Sequence, residues 1–267
     1  MATGGLGRRV PTDDQHVRRH RVSMALLAPE TFVVNKMLAL PDLRTYWSRY
    51  DQGAEGACVG FGSSWAMTIL NRKAYAARTL YLEAQKVDEW GDTPPEEGTS
   101  VRAAMDVLRH VGHWRSVYNR RTKRYDQTAP DVNEGIEANQ WATTVDELRA
   151  CIKAGTPIVI GVNWYSNFDQ PQYDATLKRW WIGRGNLGHI RGGHCICLYG
   201  AQDRWQSFAG INNWGEPLLN DSGVLIGGYP RFLLPYNTMQ RLMFEDGEAT
   251  IMVDRTGAPV EAPTTTY

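Results

Sequence analysis

The sequence has few cysteines and no long apolar segment. Its four cysteines do not have the spacing of a disulfide framework, which favours a reducing compartment. No apolar run approaches the length of a membrane-spanning helix. The N-terminus also lacks a secretory signal, because the apolar run from Ser23 to Ala28 is too short and no basic region precedes it. We therefore expect a cytoplasmic protein with no membrane partner.

The chain also has no net charge. Lys and Arg total 29, and Asp and Glu also total 29, so no global field attracts nucleic acid or an anionic membrane. Hydrophobic residues at 42% and charged residues at 22% are typical of a globular protein. A chain of 267 residues is long for one compact core and short for two independent domains. These values favour a single two-lobed unit.

Three of the cysteines have apolar surroundings in the sequence. Cys195 and Cys197 lie two residues apart in an apolar run, so they share one face of a predicted strand. Cys151 follows Val145 and Leu148 at helical spacing. Metal binding by Cys195 and Cys197 is an alternative, but we interpret all three as core residues, because cysteine behaves as a small hydrophobic side chain.

Cys58 has a different setting. It follows Gln52 in a glycine-rich run, and Gly193-His194 and Asn212-Asn213-Trp214-Gly215 come far downstream. A nearby imidazole can hold a thiol as thiolate, which is the stronger nucleophile. An asparagine amide can orient that imidazole, and a glutamine side chain can donate to the oxyanion that forms on an attacked carbonyl. Gln52, Cys58, His194 and Asn212 are therefore candidate catalytic residues.

In this order, the segments resemble those of the papain-like cysteine peptidases. Pro41-Asp42-Leu43-Arg44 is similar to the family's proline-x-asp-leu-arg motif, and Asn212-Asn213-Trp214-Gly215 to its Asn-Ser-Trp-Gly motif. The resemblance extends to about Tyr229. Two positions depart from it: Val59 replaces the usual tryptophan, and Glu55 replaces a cysteine that is bridged in many secreted members. The chain is thus more similar to the bacterial and phage-type members, and a virion-associated location is an alternative to the cytoplasm.

The resemblance implies an α+β, papain-like two-lobed fold, with the nucleophile helix in a helical N-terminal lobe and the histidine in a β-rich C-terminal lobe. It implies a peptidase that acts on polypeptides and needs no metal or organic cofactor. Gly98 and Trp214 are candidate substrate-binding residues, although Trp214 also suits a shielding role over the Asn212 amide. His189 and Asn213 are the rival candidates for the base and the orienting amide.

Two other functions fit the same residues. One is an amidase or transferase that acts on a non-protein amide. The other is a catalytically silent binding or virion protein with the papain fold. The second fits less well, because a pure scaffold requires none of the four candidate catalytic residues.

We expect three parts along the chain: an N-terminal arm over residues 1–36, a catalytic domain over 37–255 and a tail over 256–267. The arm is basic, with Arg8-Arg9 and Arg18-Arg19-His20-Arg21, and we interpret it as a solvated segment. Packing near the cleft is the alternative. We also expect the arm to be too short to fill a cleft in the manner of a long inhibitory pro-segment.

The pattern of apolar residues predicts helices before strands. Helices are predicted from Cys58 to about Ala76 and from Tyr81 to Trp90. Two more are predicted after the caps Ser100 and Thr144, ending at Gly112 and Gly155. A long polar loop is expected over residues 113–140, with the basic run Arg120–Arg124. Predicted strands follow: Pro157–Trp164, His194–Tyr199, Phe208–Asn212, Val224–Ile226 and Ala249–Val253.

Overall fold

The computed structural model describes residues 5–10, 33–41, 50–91 and 96–255. The motif Pro41-Asp42-Leu43-Arg44, apart from Pro41, lies outside these residues, as do the second basic run of the arm and the predicted tail. The first strand, β1 (Asn35–Met37), pairs with a long strand of the main sheet, Asn35 opposite Gln202. This pairing crosses the predicted domain boundary at residue 36, so Asn35 and Lys36 are part of the folded unit.

Three helices form one side of the molecule: α1 (Cys58–Asn71), α2 (Ala77–Ala84) and α3 (Val101–His110). Helix α1 begins at Cys58, as the sequence indicates, and is terminated after Asn71 by Arg72, which adopts a left-handed conformation with φ of 57°. Helix α3 begins after the predicted cap, where the Ser100 hydroxyl accepts from the Ala103 amide. The predicted helix Tyr81–Trp90 is displaced, because α2 starts at Ala77 and ends six residues before Trp90.

Two glycines in the first turns of α1 allow close packing. A Cβ atom on Gly60 would lie 2.4 Å from the carbonyl oxygen of Ala77, at the start of α2. A Cβ atom on Gly62 would lie 3.0 Å from the sulfur of Cys195 in the sheet. These glycines lower helix propensity, yet α1 forms because almost every one of its residues is buried between α2, α3 and the sheet.

The segment predicted as a polar loop is mostly strand, so that prediction is wrong. Strands β2 (His113–Asn119) and β3 (Arg124–Asp131) form a hairpin, and β4 (Ile136–Ala142) follows. All eight residues of β3 are exposed, so the strand has no alternating apolar face from which it could be recognised. Helix α4 (Val145–Ala154) then begins at the predicted capping box of Thr144 and Glu147 and ends at Gly155, whose φ is 99°.

The second half of the chain is mainly strand. The long strands are β5 (Ile158–Tyr165), β8 (Ile190–Gln202), β9 (Ser207–Ile211) and β13 (Glu248–Asp254). Helix α5 (Tyr236–Phe244), which the sequence analysis did not predict, precedes β13. The shorter strands are β6 (Gln172–Asp174), β7 (Arg179–Trp181), β10 (Leu218–Leu219), β11 (Leu225–Gly227) and β12 (Phe232–Pro235).

The main sheet has the strand order β4-β13-β5-β8-β9-β12-β7-β6, and β1 pairs with the end of β8. Every pair in it is antiparallel except β12 with β7. Helix α1 packs against β8 and β5, which joins the helical lobe to the sheet lobe. The expected α+β, two-lobed architecture is therefore confirmed. Among the described residues, no helix has the length and apolar character needed to cross a membrane.

Candidate active site

Cys58 lies at the junction of the two lobes. It is the first residue of α1 and is fully buried. The side chain of Asn213 donates to the carbonyl of Cys58 at 3.4 Å and to the carbonyl of Cys195 at 2.8 Å. Because Cys195 follows His194 in β8, this amide holds the start of α1 beside the strand that carries the imidazole. The N-terminus of α1 and the strand that carries His194 therefore lie side by side at the junction of the lobes.

His194 is oriented by Asn212. The imidazole Nε2 lies 2.7 Å from Oδ1 of Asn212, and the same oxygen accepts from the backbone N–H of Asn213 at 2.8 Å. An oxygen that accepts from Asn213 also accepts from His194, so Nε2 carries the proton and Nδ1 keeps its lone pair. Nδ1 is buried and has no hydrogen-bond partner among the described residues. Of the two candidates for the orienting amide, Asn212 and Asn213, the side chain that bonds the imidazole is that of Asn212.

Two tryptophans enclose the imidazole. The Trp164 ring meets His194 edge-on at 4.6 Å, and the Trp214 ring lies 4.8 Å from it at an interplanar angle of 31°. Trp164 is held in place by a 2.9 Å hydrogen bond from its indole nitrogen to Asp169. Both tryptophans are buried, so they keep water away from the bond between His194 and Asn212. Direct contact of Trp214 with a substrate stays a prediction.

Gln52 is fixed next to the same loop. Its backbone N–H donates to the carbonyl of Asn213 at 2.8 Å. Its side-chain Nε2 donates to the carbonyl of Glu55 at 2.8 Å and to the carbonyl of Gly5 at 3.0 Å. Gln52 therefore presents a side-chain N–H to a peptide carbonyl that lies in the cleft.

The rival candidate for the base, His189, lies in an exposed loop, whereas His194 is buried.

The cleft between the lobes is occupied by the N-terminal segment, defined here as residues 5–10. The Gly5 amide donates to Gly53 at 3.0 Å, and the Arg8 amide donates to the carbonyl of Gly193 at 3.0 Å. On the opposite wall, Thr99 donates to the carbonyl of Gly7 and accepts from the Arg9 amide, both at 2.9 Å. The segment is extended and runs parallel to the chain at Thr99. The expectation of a solvated arm is therefore wrong for these residues, as is the expectation that the arm is too short to fill the cleft.

The N-terminal segment fits because its residues at the narrow points are glycines. A Cβ atom on Gly7 would lie 1.7 Å from the carbonyl oxygen of Gly56, and one on Gly5 would lie 2.2 Å from that of Glu55. The wall has matching glycines: a Cβ atom on Gly98 would lie 2.3 Å from the Gly7 oxygen, and one on Gly193 would lie 2.1 Å from the Arg8 oxygen. Gly98 therefore lines the cleft beside Gly7, while the backbone pairing with the segment is made by Thr99; a role of Gly98 in substrate binding stays a prediction.

In the occupied cleft, burial favours the neutral forms of Cys58 and His194. Burial raises the pKa of Cys58 to about 11, although backbone hydrogen bonds from Gly7 and Cys195 and the charge of Arg8 act in the opposite direction. Burial lowers the pKa of His194 to about 4, against the effect of its bond to Asn212. In this occluded state the loss of water outweighs the groups that would stabilise a thiolate at Cys58, so burial favours the neutral thiol.

Several residues of the site could not be found from sequence motifs. Thr99 pairs with the N-terminal segment, Asn213 joins the lobes, and Arg8 enters the sheet lobe to meet Glu248. Glycines at positions 5 and 7 were the available signal, since alternate glycines suit an extended chain in a narrow channel. All four cysteines are buried free thiols, as expected for Cys151, Cys195 and Cys197 as core residues.

No protein-family model and no curated protein sequence matches the chain. Solved structures do match. Xylellain, a cysteine protease from Xylella fastidiosa, matches with a TM-score of 0.61 at 18% identity, over 94% of this chain and 97% of that one. Procathepsin L2 from the larval midgut of Tenebrio molitor matches at 0.57 and 12% identity, over 94% and 78%. ProCathepsin B S9 from Trypanosoma congolense matches at 0.56 and 12% identity, over 92% and 85%. This chain therefore has the fold of the papain-like cysteine proteases.

Proposed function

We propose that the protein is a cysteine-type peptidase in which Cys58, His194, Asn212 and Gln52 act together on peptide bonds. The observation that carries this proposal is the state of His194. Its Nε2 proton is committed to Asn212 at 2.7 Å, while its buried Nδ1 has no partner among the described residues. An unpaired buried acceptor costs about 1–3 kcal/mol, and a thiol proton from Cys58 is the natural group for it to accept.

The chemistry proceeds in two stages. Nδ1 of His194 takes the proton of Cys58, and the thiolate attacks the carbonyl carbon of the substrate to form a tetrahedral oxyanion. The imidazolium returns its proton to the leaving amine as the C–N bond breaks, which leaves a thioester on Cys58. Water, deprotonated by His194, then attacks the thioester and releases the acid and the free thiol. Asn212 holds the ring in one orientation throughout.

Gln52 is suited to stabilise the oxyanion. Its Nε2 already donates to the backbone carbonyl of Gly5 at 3.0 Å, so the side chain is positioned for a carbonyl oxygen in the cleft. The backbone N–H of Cys58, at the N-terminus of α1, supplies a second donor.

A polypeptide substrate is supported by what the cleft holds. The N-terminal segment is an extended peptide with backbone hydrogen bonds to both walls. The Gly7 backbone acts on the Cys58 sulfur through a hydrogen bond, so this segment covers the proposed nucleophile. A substrate must displace it.

The test uses the full-length chain with Gly7→Val, because a side chain at residue 7 collides with Gly56 and should expel the segment. We expect this variant to hydrolyse a denatured protein substrate faster than the parent chain. Adding Cys58→Ala should abolish that hydrolysis, while Cys151→Ala should not. Val10→Ala, in the same segment but at an exposed side chain, is the matched control for Gly7→Val.

Hydrolysis that persists with Cys58→Ala would refute the proposal. Cleavage of small non-protein amides without any peptide cleavage would favour the amidase alternative. No turnover of either kind, with the N-terminal segment expelled, would favour a silent binding protein.

A further inference from the structure

Arg8 places its side chain in a closed pocket of the sheet lobe. Nη2 lies 3.1 Å from a carboxylate oxygen of Glu248 and 2.6 Å from the carbonyl oxygen of Asp246. The side chain of Arg8 is completely buried, and that of Glu248 is 8% exposed. The aliphatic stem passes Gly161, where an added Cβ atom would lie 2.9 Å from Nε and 3.1 Å from Cγ. We call this the Glu248 pocket.

The architecture of the sheet makes this pocket. Glu248 at the start of β13 is directly opposite Gly161 in β5. The missing side chain at Gly161 leaves the space through which the stem of Arg8 reaches the carboxylate. Gly193 in the neighbouring strand β8 borders the same stem, since its added Cβ would lie 3.2 Å from Cδ of Arg8. The pocket is thus a narrow groove on the face of the sheet, where Gly161 and Gly193 lack side chains, with the Glu248 carboxylate at its end.

Glu248 depends on Arg8 for its charge partner. Among the described residues, its carboxylate is hydrogen-bonded by Arg8 alone. The next cation that acts on it, Arg102, is paired with Glu89 at 3.6 Å. Burial raises the pKa of Glu248, and Arg8 opposes that rise. A buried carboxylate without a partner is costly, so a pocket of this kind favours an occupant that brings a positive charge.

The pocket is not specific to the N-terminal segment itself. Only Nη2 of the Arg8 guanidinium has partners, while Nε and Nη1 have none among the described residues. One terminal nitrogen between a carboxylate and a carbonyl is a contact that lysine can also make. The backbone around Arg8 is held by Gly193 and Thr99 through main-chain atoms alone, which any extended peptide can pair with.

We propose that the Glu248 pocket is a specificity pocket, which selects substrates with an arginine or lysine side chain near the cleaved bond. This inference rests on the proposed peptidase function and names the class of peptide that the enzyme prefers. The N-terminal segment occupies the cleft by presenting the same kind of side chain. The alternative is that Glu248 serves only to anchor Arg8 within the folded chain.

Peptide binding tests the pocket without any turnover. The protein is the full-length chain with Gly7→Val to expel the segment and Cys58→Ala to prevent cleavage. The probe is a fluorescent peptide with the sequence of residues 5–10. A second peptide carries citrulline in place of the arginine that corresponds to Arg8. Citrulline keeps the shape of arginine and removes its charge. We expect binding to weaken at least about tenfold, as for loss of one member of a buried charge pair. With Glu248→Gln in the protein, the difference between the two peptides should nearly disappear.

Citrulline in place of the arginine that corresponds to Arg9 is the matched control. Arg9 lies over the Trp90 ring at 3.9 Å, and the cations that act on the Glu248 carboxylate are Arg8 and Arg102, so replacement of Arg9 should have the same effect with and without Glu248→Gln. If the peptide with arginine and the peptide with citrulline at the position of Arg8 bind equally well, the proposal is overturned. The peptide comparison needs no second protein variant, so it stands even if Glu248→Gln destabilises the fold.

Cleavage of a mixed peptide library by the Gly7→Val chain tests the same pocket in turnover. We expect one position near the cleaved bond to be enriched in arginine and lysine, and Glu248→Gln to remove that enrichment. Cleavage with no basic preference would refute the specificity pocket and leave the peptidase function intact. Charge-dependent peptide binding with no cleavage at all would refute the peptidase function and show that the pocket binds cationic side chains. If Glu248→Gln weakens only the anchoring of Arg8 in the intact chain and changes neither peptide binding nor cleavage, Glu248 is an internal anchor and the proposal is wrong.

Discussion

Two fully buried histidines in this protein, His113 and His194, differ in whether Nδ1 of the ring has a hydrogen-bond partner. His113 uses both ring nitrogens: Nε2 lies 2.9 Å from the Ser64 hydroxyl, and Nδ1 accepts from the Trp114 amide at 2.9 Å. It also stacks on the Tyr75 ring at 4.5 Å. His194 is equally buried and has the same tautomer, with Nε2 donating to Asn212, yet its Nδ1 has no partner among the described residues. Burial is therefore the same for the two histidines, and the unpaired lone pair on Nδ1 is the feature that sets the proposed base apart.

The largest expected effect is the difference in kcat between alanine variants of these two histidines. In the Gly7→Val chain, His194→Ala should reduce kcat at least about 10⁴-fold, because the nucleophile and its base act as a unit. His113→Ala should leave kcat nearly unchanged and lower the free energy of unfolding, since it removes a packed ring and leaves the Ser64 hydroxyl without its partner. Steady-state kinetics and urea unfolding on both variants measure this contrast. If the exposed His189→Ala inactivates the protein instead, the base has been assigned wrongly.

A smaller effect is expected at the oxyanion donor. Gln52→Ala in the Gly7→Val chain should lower kcat about a hundredfold or more, as for the loss of one oxyanion-hole donor. The change in KM should be small, because the developing charge is present only in the transition state. Gln140→Ala, at an exposed position of β4, is the control. An unchanged kcat with Gln52→Ala would show that Gln52 only positions the loop.

The orienting residues should have a weaker effect still. Asn212→Ala should lower kcat less than Gln52→Ala does, since Cys58 and His194 can still pair. Asn213→Ala should mainly lower the melting temperature, because its side chain joins the carbonyls of Cys58 and Cys195 across the lobes. Kinetics and thermal melts on both variants distinguish the two asparagines. A greater loss of kcat with Asn213→Ala at unchanged stability would reverse their roles.

The two histidines should act alike in acid. Burial lowers the pKa of His113 to about 3 and that of His194 to about 4, from an ordinary value of 6.5. As the pH falls below about 6.5, the unfolded chain binds protons that the folded chain does not, so stability should decrease. Above that pH the stabilisation is complete. Each histidine contributes up to about 1.4 kcal/mol per pH unit. Urea unfolding between pH 7.5 and 4.5 should show this fall, and His113→Ala should make it shallower. A stability independent of pH would contradict both shifts.

Several helix ends were predicted correctly from local signals in the sequence. Ser100, the capping box of Thr144 and Glu147, and Gly155 mark helix ends through contacts within a few residues of each other, so they can be recognised in the sequence. The hairpin of β2 and β3 was missed, because β3 is exposed along its whole length and has no alternating pattern.

The candidate site could be predicted from the sequence only where its residues belong to local motifs. Gln52, Cys58, His194 and Asn212 stand in recognisable motifs. Arg8 and Glu248 are separated by 240 residues and have no motif. Their contact is decided by the space that Gly161 leaves on the face of the sheet beside Glu248, which is a property of the folded sheet. Arg8-Arg9 and the basic run Arg120–Arg124 look alike in the sequence, yet the first lies in the cleft and the second at the turn of an exposed hairpin.

The most direct test of the proposed pairing of Cys58 with His194 is the pH dependence of Cys58 alkylation by iodoacetamide in the Gly7→Val chain, followed by mass spectrometry. Once the N-terminal segment no longer buries the thiol, we expect Cys58 to react well before Cys151, Cys195 and Cys197, and to do so below pH 7. His194→Ala should move this reaction to the pH range of an ordinary thiol, near 8.5. Equal labelling of all four cysteines, or a Cys58 profile that His194→Ala leaves unchanged, would contradict a nucleophile activated by this histidine.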